Sequence, residues 1–201
     1  MAETIVSPRT PSQDEYGIVA TFSESSLDAL SIIQDSLTEH LGDSIWLTPR
    51  RALHCTLMEI ICDRDYGNVP RKQIFDDWYK NYNQTVLETL AEIPLFDISF
   101  IKLEVSQRAI IARLTNSQVF NDIRAEILSR IRLPEGTKLP PDITHVSLAR
   151  FNKSVDLVKV IDKTKDIKVN FSENLSNFQL LKDLGSPRFE PRLIQNYPLA
   201  E

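Results

Sequence analysis

Two stretches of this chain repeat one another. Thr144-His145-Val146-Ser147-Leu148-Ala149-Arg150-Phe151 echoes Leu53-His54-Cys55-Thr56-Leu57-Met58-Glu59-Ile60, and each reads His-x-Ser/Thr-Leu inside an apolar, β-prone run. Such runs, bounded by polar or turn-forming residues, are how half-buried strands look. Residues i and i+2 of a strand share a face, so His54 and Thr56 point one way and Cys55 and Leu57 the other. The same holds for His145 and Ser147 against Val146 and Leu148. With only three histidines in the chain, a hydroxyl two residues after two of them arises by chance roughly one time in twenty, and the shared Leu at the third position lowers that further.

The remaining sequence alternates strand-like and helix-like segments. Gly17 to Phe22 reads as a buried strand, followed by a helix capped at Ser23 or Ser25 with Leu27, Leu30, Ile33, Leu37 and Leu41 at helical spacing and a stop at Gly42. His40, in the last turn, is expected to meet free carbonyls there. Ile45 to Leu47 forms a short strand, and a polar loop spans Asp63 to Pro70. A long helix runs through Ile74, Trp78, Tyr82, Val86 and Leu90, its aromatic stripe serving as core packing. Leu95 to Val105 and Ala109 to Leu114 form a hairpin, with a bulge near Phe100-Ile101. A helix capped at Asn116 or Ser117 carries Phe120, Ile123 and Ile127, and a proline-rich loop from Leu133 to Asp142 leads to the second motif. A helix from Ser154 to about Lys163 and strands near 167–171, 178–181 and 192–197 complete the order, a weak internal repeat in which the motif histidines lie half the ordered chain apart.

A length of 201 residues suits one buried core, so residues 1–15 are expected as a disordered lead and 16–201 as a single unit. No run is long enough to span a membrane and the start lacks a signal-peptide pattern, which makes a cytoplasmic location the expectation. The two cysteines, Cys55 and Cys62, suggest neither a disulfide framework nor a zinc site. A net charge of -5 argues against tracking a long nucleic acid. The expected partner is a small nucleotide or short oligonucleotide, with no long nucleic acid, no membrane, no metal and no cofactor, bound by a monomer.

On His54-Cys55-Thr56-Leu57, His145-Val146-Ser147-Leu148-Ala149-Arg150, the element order and the ending Asn196-Tyr197-Pro198-Leu199, the chain resembles the two-histidine (2H) phosphoesterases. This superfamily includes 2'-5' RNA ligase-like proteins and 2',3'-cyclic nucleotide phosphodiesterases. The resemblance covers about Tyr16 to Leu199. It implies an α+β bilobal fold, two antiparallel sheets with outer helices around a central cleft, with His54 and His145 catalytic and Thr56 and Ser147 binding phosphate. Thr144 stands where a proline often precedes the second histidine.

The residues themselves suit that chemistry. In-line cleavage of a phosphodiester needs a base for the incoming oxygen and an acid for the leaving one, and two imidazoles provide both near neutral pH. The hydroxyls of Thr56 and Ser147 can donate to nonbridging oxygens. Arg51, with Arg50, is a candidate phosphate cation; Trp46 and Tyr66 are candidate stacking residues; Phe151 and Met58, of catalytic parity on a regular strand, are candidate floors for a base. By the same parity Arg150 and Glu59 face away. The expectation is a metal-independent phosphodiesterase acting on a 2',3'-cyclic phosphate, a cyclic nucleotide or a short 2'-5' linked oligonucleotide. Two alternatives stand beside it: a non-catalytic nucleotide- or RNA-binding module using the same cleft, and a metal hydrolase joining the histidines to a carboxylate such as Asp142.

Overall fold

The computed structural model describes residues 3–6, 14–62, 66–138, 143–182 and 190–200. Among the described residues, nine strands and four α-helices follow in the order β1 (Tyr16–Ala20), α1 (Glu24–Leu41), β2 (Ile45–Leu47), β3 (Cys55–Ile61), α2 (Arg71–Ala91), β4 (Phe96–Val105), β5 (Ala109–Leu114), α3 (Ser117–Arg130), β6 (His145–Phe151), α4 (Leu157–Thr164), β7 (Phe171–Leu175), β8 (Asn177–Lys182) and β9 (Arg192–Pro198). The class is α+β, as expected. The expected two sheets are joined edge to edge: the hydrogen-bonded order is β7-β4-β5-β6-β3-β1-β8-β9, with β2 on the side of β6. One strand pair, Cys55 opposite Val146, is the seam between the halves.

Each half is built alike. β1 leads into α1 and pairs antiparallel with the motif strand β3, while β5 leads into α3 and pairs antiparallel with the motif strand β6. The helices follow local rules. Ser23 caps α1 by accepting from the Ser26 N–H, and Asp156 caps α4 by accepting from the Val158 N–H, each worth about 1 kcal/mol. Their apolar stripes cover one face of the sheet. Leu30, Ile33 and Leu37 of α1, Phe75, Trp78 and Leu90 of α2, and Phe120, Ile123 and Ile127 of α3 join Cys55, Leu57, Val146 and Leu148 in a single core. The aromatic stripe of α2 is core, with Phe75 stacked on Tyr16 at 3.7 Å between ring centres. The opposite face of the two motif strands is left to polar residues.

Three expectations change. The strand expected over 167–171 lies at Phe171–Leu175, because its position is set by pairing with β4, from Phe96 opposite Leu175 to Phe100 opposite Phe171, and by the stacking of Phe171 on Phe100 at 4.2 Å. The bulge in β4 occurs at Ile101, as expected. The lead is tied down at residues 3–6: Glu3 bridges Asp156, the Thr4 N–H donates to the Val155 carbonyl, the Val155 N–H donates to Thr4 Oγ1 (2.9 Å each), and Thr4 is buried. Partners about 150 residues away leave no local trace in the sequence. The third change concerns the motif strands.

On regular strands Met58 and Phe151 would share a face with the histidines. Both strands carry a bulge at the same motif position. Thr56 pairs with Val19 but Met58 with Ile18, leaving Leu57 as the extra residue. Ser147 pairs with Ile111 but Ala149 with Ile110, leaving Leu148 as the extra residue. A bulge inserts one residue and reverses the parity beyond it. Met58 and Phe151 consequently lie in the core at 0% exposure, while Glu59 and Arg150 are half-buried on the polar side.

Candidate active site

The register at the seam assembles the motif residues. Cys55 lies opposite Val146 on antiparallel strands, so one step along each strand sets Thr56 opposite His145 and one step back sets His54 opposite Ser147. Directly opposed residues share a face with Cβ atoms about 5 Å apart. The two motifs therefore form a diagonal square: each histidine faces the other motif's hydroxyl residue. That arrangement needs both strands, which is why neither motif alone is a site.

Both rings are oriented by the backbone. His54 Nδ1 lies 2.8 Å from the Ala52 carbonyl and His145 Nδ1 lies 3.4 Å from the Ile143 carbonyl. A carbonyl only accepts, so Nδ1 carries the proton in each ring and Nε2 keeps its lone pair in the neutral form. Among the described residues nothing hydrogen-bonds either Nε2, or the side-chain hydroxyl of Thr56 or Ser147.

Burial pushes the pKa of both histidines below the ordinary imidazole value. The Ala52 carbonyl partly offsets this for His54, and the charges of His145 and Arg150 lower it further. For His145 the Ile143 carbonyl works upward, Arg113 and Arg150 downward and Glu104 upward. Arg150, dismissed by regular parity, is thus a cation acting on both histidines. Arg113 reaches the site from β5, where it is the register partner of His145. It gives one Nη to Glu104 at 3.1 Å, while among the described residues its buried Nε has no hydrogen-bond partner, and neither has the Nε of Arg150.

Buried helix side chains hold the two bulges in place. Arg124 of α3 donates from Nε to the Leu57 carbonyl (2.6 Å) and from Nη2 to the Thr56 carbonyl (3.3 Å), and Asn121 Oδ1 accepts from its Nη1 at 2.6 Å. Gln34 of α1 donates from Nε2 to the Leu148 and Thr48 carbonyls, both at 2.8 Å. Each helix thereby reaches the motif strand of the other half and satisfies the carbonyl of its bulge residue. Bulged backbone lacks a ladder partner, and a buried unpaired carbonyl costs about 1–3 kcal/mol.

The other expected residues fall elsewhere. Arg51 is exposed on the 3-10 turn Arg50–Ala52, and Arg50 pairs with Glu24 and Asp28 of α1; the cations that act on the histidines are Arg150 and Arg113. Tyr66 packs beyond the end of β3, its hydroxyl accepting from the Cys62 N–H at 3.1 Å with the Arg71 guanidinium over its ring. Trp46 of β2 is the register partner of Arg150 and stands beside it on the same face. Phe151 is in the core. Cys55 is buried with its thiol pushed up to about 12, an inert core residue as expected. His40 meets the Ser36 carbonyl through Nδ1 at 2.7 Å, the helix-end role expected of it. Asp142 and residues 63–65 lie outside the described residues.

Solved structures share this architecture across nearly their whole length. TT0787 of Thermus thermophilus superposes with a TM-score of 0.58 at 13% identity, covering 92% of this chain and 97% of that one. Escherichia coli LigT complexed with 3'-AMP gives 0.55 at 14% identity, over 94% and 99%. The chain has the fold of the 2H phosphoesterases. A conserved protein of unknown function from Agrobacterium tumefaciens strain C58, ATU0111, also matches, with a TM-score of 0.56, 12% identity and coverage of 92% and 85%. No family model and no curated protein matches the sequence. In this chain the pseudo-repeat, β1-α1-β3 against β5-α3-β6, brings the two motif strands together at one seam.

Proposed function

We propose that this protein is a metal-independent phosphodiesterase that hydrolyses a 2',3'-cyclic phosphate, a cyclic nucleotide or a short 2'-5' linked oligonucleotide by two-histidine acid/base catalysis. The diagonal square of His54, Ser147, His145 and Thr56 carries the reading. One neutral imidazole Nε2 takes a proton from water as the water oxygen bonds to phosphorus; the other, protonated, gives its proton to the leaving oxygen as the P–O bond breaks. The product is a phosphomonoester, and the proton balance is restored by exchange between the histidines and solvent. Thr56 and Ser147 donate to the nonbridging oxygens, and Arg150, whose charge acts on both rings, offsets their charge.

The choice of a nucleotide rests on the same face: Trp46 beside Arg150 supplies an aromatic wall next to the phosphate site. LigT, of the same fold, has been crystallised with 3'-AMP. Among the described residues no helix is long and apolar enough to cross a membrane, and we take the substrate to be a freely diffusing small nucleotide or short oligonucleotide, acted on by a monomer in the cytoplasm.

The test is a panel of 2',3'-cyclic mononucleotides, 3',5'-cyclic nucleotides, cyclic dinucleotides and 2'-5' linked oligoadenylates, incubated with EDTA and resolved by chromatography. Turnover is expected in the wild type and lost in both His54→Ala and His145→Ala. Activity that survives the double substitution refutes the mechanism, and saturable binding without product at high protein concentration means a binding module.

A further inference from the structure

The face that carries the histidines is electrically lopsided. Successive register pairs trace one row across seven strands: Lys102 opposite Arg113, Arg113 opposite His145, His145 opposite Thr56, Thr56 opposite Val19, Val19 opposite Gln179 and Gln179 opposite Asn196. On the β4–β5 side of the catalytic pair the row is cationic. On the β1–β8–β9 side it is uncharged. Glu104, on the same face of β4, pairs with both cations, at 3.3 Å to Lys102 and 3.1 Å to Arg113, so the triad keeps one net positive charge. In a chain of net charge -5, a positive lane beginning at the catalytic histidine is a local feature that composition does not produce.

The donors of this lane are incompletely used. Arg113 spends one Nη on Glu104, while its buried Nε has no hydrogen-bond partner among the described residues. Lys102 is about half exposed and stands two strand spacings, about 10 Å, from the His145 backbone. Glu104 Oε2 pairs with both cations, so an oxyanion binds beside that carboxylate, drawn by the net positive charge of the three groups and by the remaining ammonium protons of Lys102, a point-charge pattern that suits phosphate.

Resting on the diesterase reading, we infer that Arg113 and Lys102 form a second phosphate subsite, so that the preferred substrate carries a further phosphate about one nucleotide from the scissile one. A nucleotide with only the scissile phosphate leaves the lane empty. The further group is either a terminal phosphate or the next internucleotide linkage, and both present the same oxyanion chemistry. The uncharged end of the row, at Val19, Gln179 and Asn196, is left to the uncharged part of the ligand, with Glu59 outside the row on the same face.

The experiment compares kcat/KM for a nucleoside 2',3'-cyclic phosphate, its 5'-phosphorylated form and a dinucleotide ending in the same cyclic phosphate, in wild type, Lys102→Glu and the double variant Lys102→Gln/Arg113→Gln. The readout is the ratio between substrates within each protein, so a general loss of activity cancels. The second phosphate is expected to raise kcat/KM about tenfold or more in the wild type, the effect of one charge-assisted contact. The ratio should fall to within about twofold of unity in the double variant. The exposed single variant, which leaves the core intact, should lower it in the same direction. Preference by the 5'-phosphorylated form alone identifies a terminal phosphate, and preference by the dinucleotide alone identifies the linkage. Equal rates on all three substrates overturn the subsite and leave the diesterase reading standing. A ratio indifferent to both variants overturns it too, because the second phosphate is then held elsewhere. If no substrate is turned over, the diesterase reading fails, and calorimetry of a nucleoside 3',5'-bisphosphate against the 3'-monophosphate decides: about tenfold tighter binding of the bisphosphate supports the subsite, and equal binding refutes it.

Discussion

Replacing Arg124 by methionine keeps most of the buried stem and removes the guanidinium that holds the first motif's bulge. Two buried carbonyls, Thr56 and Leu57, lose their donors, at about 1–3 kcal/mol each. Part of this is offset because a buried charge no longer has to be desolvated. The net expectation is a loss of about 3 kcal/mol, which for a domain of this size lowers Tm by about 6–12 °C. The catalytic effect follows from geometry: Thr56 is the hydroxyl opposite His145, and loosening the backbone that carries it costs about a hundredfold in kcat/KM if the group moves by about 1 Å. Arg124→Lys, able to reach one carbonyl, should fall between. Thermal unfolding by circular dichroism and steady-state rates on the best substrate of the panel measure both effects. A Tm within about 1 °C of wild type, with rates within about twofold, would refute the assignment of Arg124 to the site's scaffold.

Three further outcomes follow from the same geometry. His54 and His145 both have pKa values depressed below the ordinary imidazole value of about 6.5, so the unfolded chain binds more protons than the folded one between their folded values and 6.5. Their contribution to stability is therefore full above 6.5 and declines as pH falls through the folded values, and urea midpoints measured against pH should drop there, less steeply in His54→Gln. Removing the cation beside His145 in Arg113→Gln should raise that histidine's pKa and move the acidic limb of the kcat/KM profile to higher pH, whereas an unmoved limb would show that Arg113 does not act on the ring. Cys55, with its thiol pushed up to about 12 inside the core, should resist iodoacetamide at pH 8 in the native protein and react on unfolding, as read by mass spectrometry.

Much of the architecture was legible because it depends on local regularity. Period-2 alternation identified β3 and β6, helical spacing identified α1, α2 and α3, and the repeat of His-x-Ser/Thr-Leu pointed to a paired site. The positions of β7 and of residues 3–6 depend on distant partners, and the facing of the motif residues depends on strands that are not regular. Consecutive buried residues, Leu57-Met58 and Leu148-Ala149, are the marks of the bulges, and reading them as such would have turned Glu59 and Arg150 toward the histidines and Phe151 into the core. Arg113 also left a trace, as the one charge in the apolar strand Ala-Ile-Ile-Ala-Arg-Leu, but nothing near it named His145 as its neighbour. Gln34 and Arg124 looked like ordinary polar members of amphipathic helices.

The order of elements, the two motif strands and the face each histidine takes with its hydroxyl belong to the sequence by itself, because a strand's alternation and a helix's turn are set by residues a few places apart. What the tertiary structure decided is everything that needs two strands at once: the Cys55–Val146 seam that sets each histidine against the other motif's hydroxyl, the bulges imposed by β1 and β5, and the cationic lane from His145 to Lys102. Register is a relation between distant segments, fixed by the packing of both against a common core, and no local pattern encodes it.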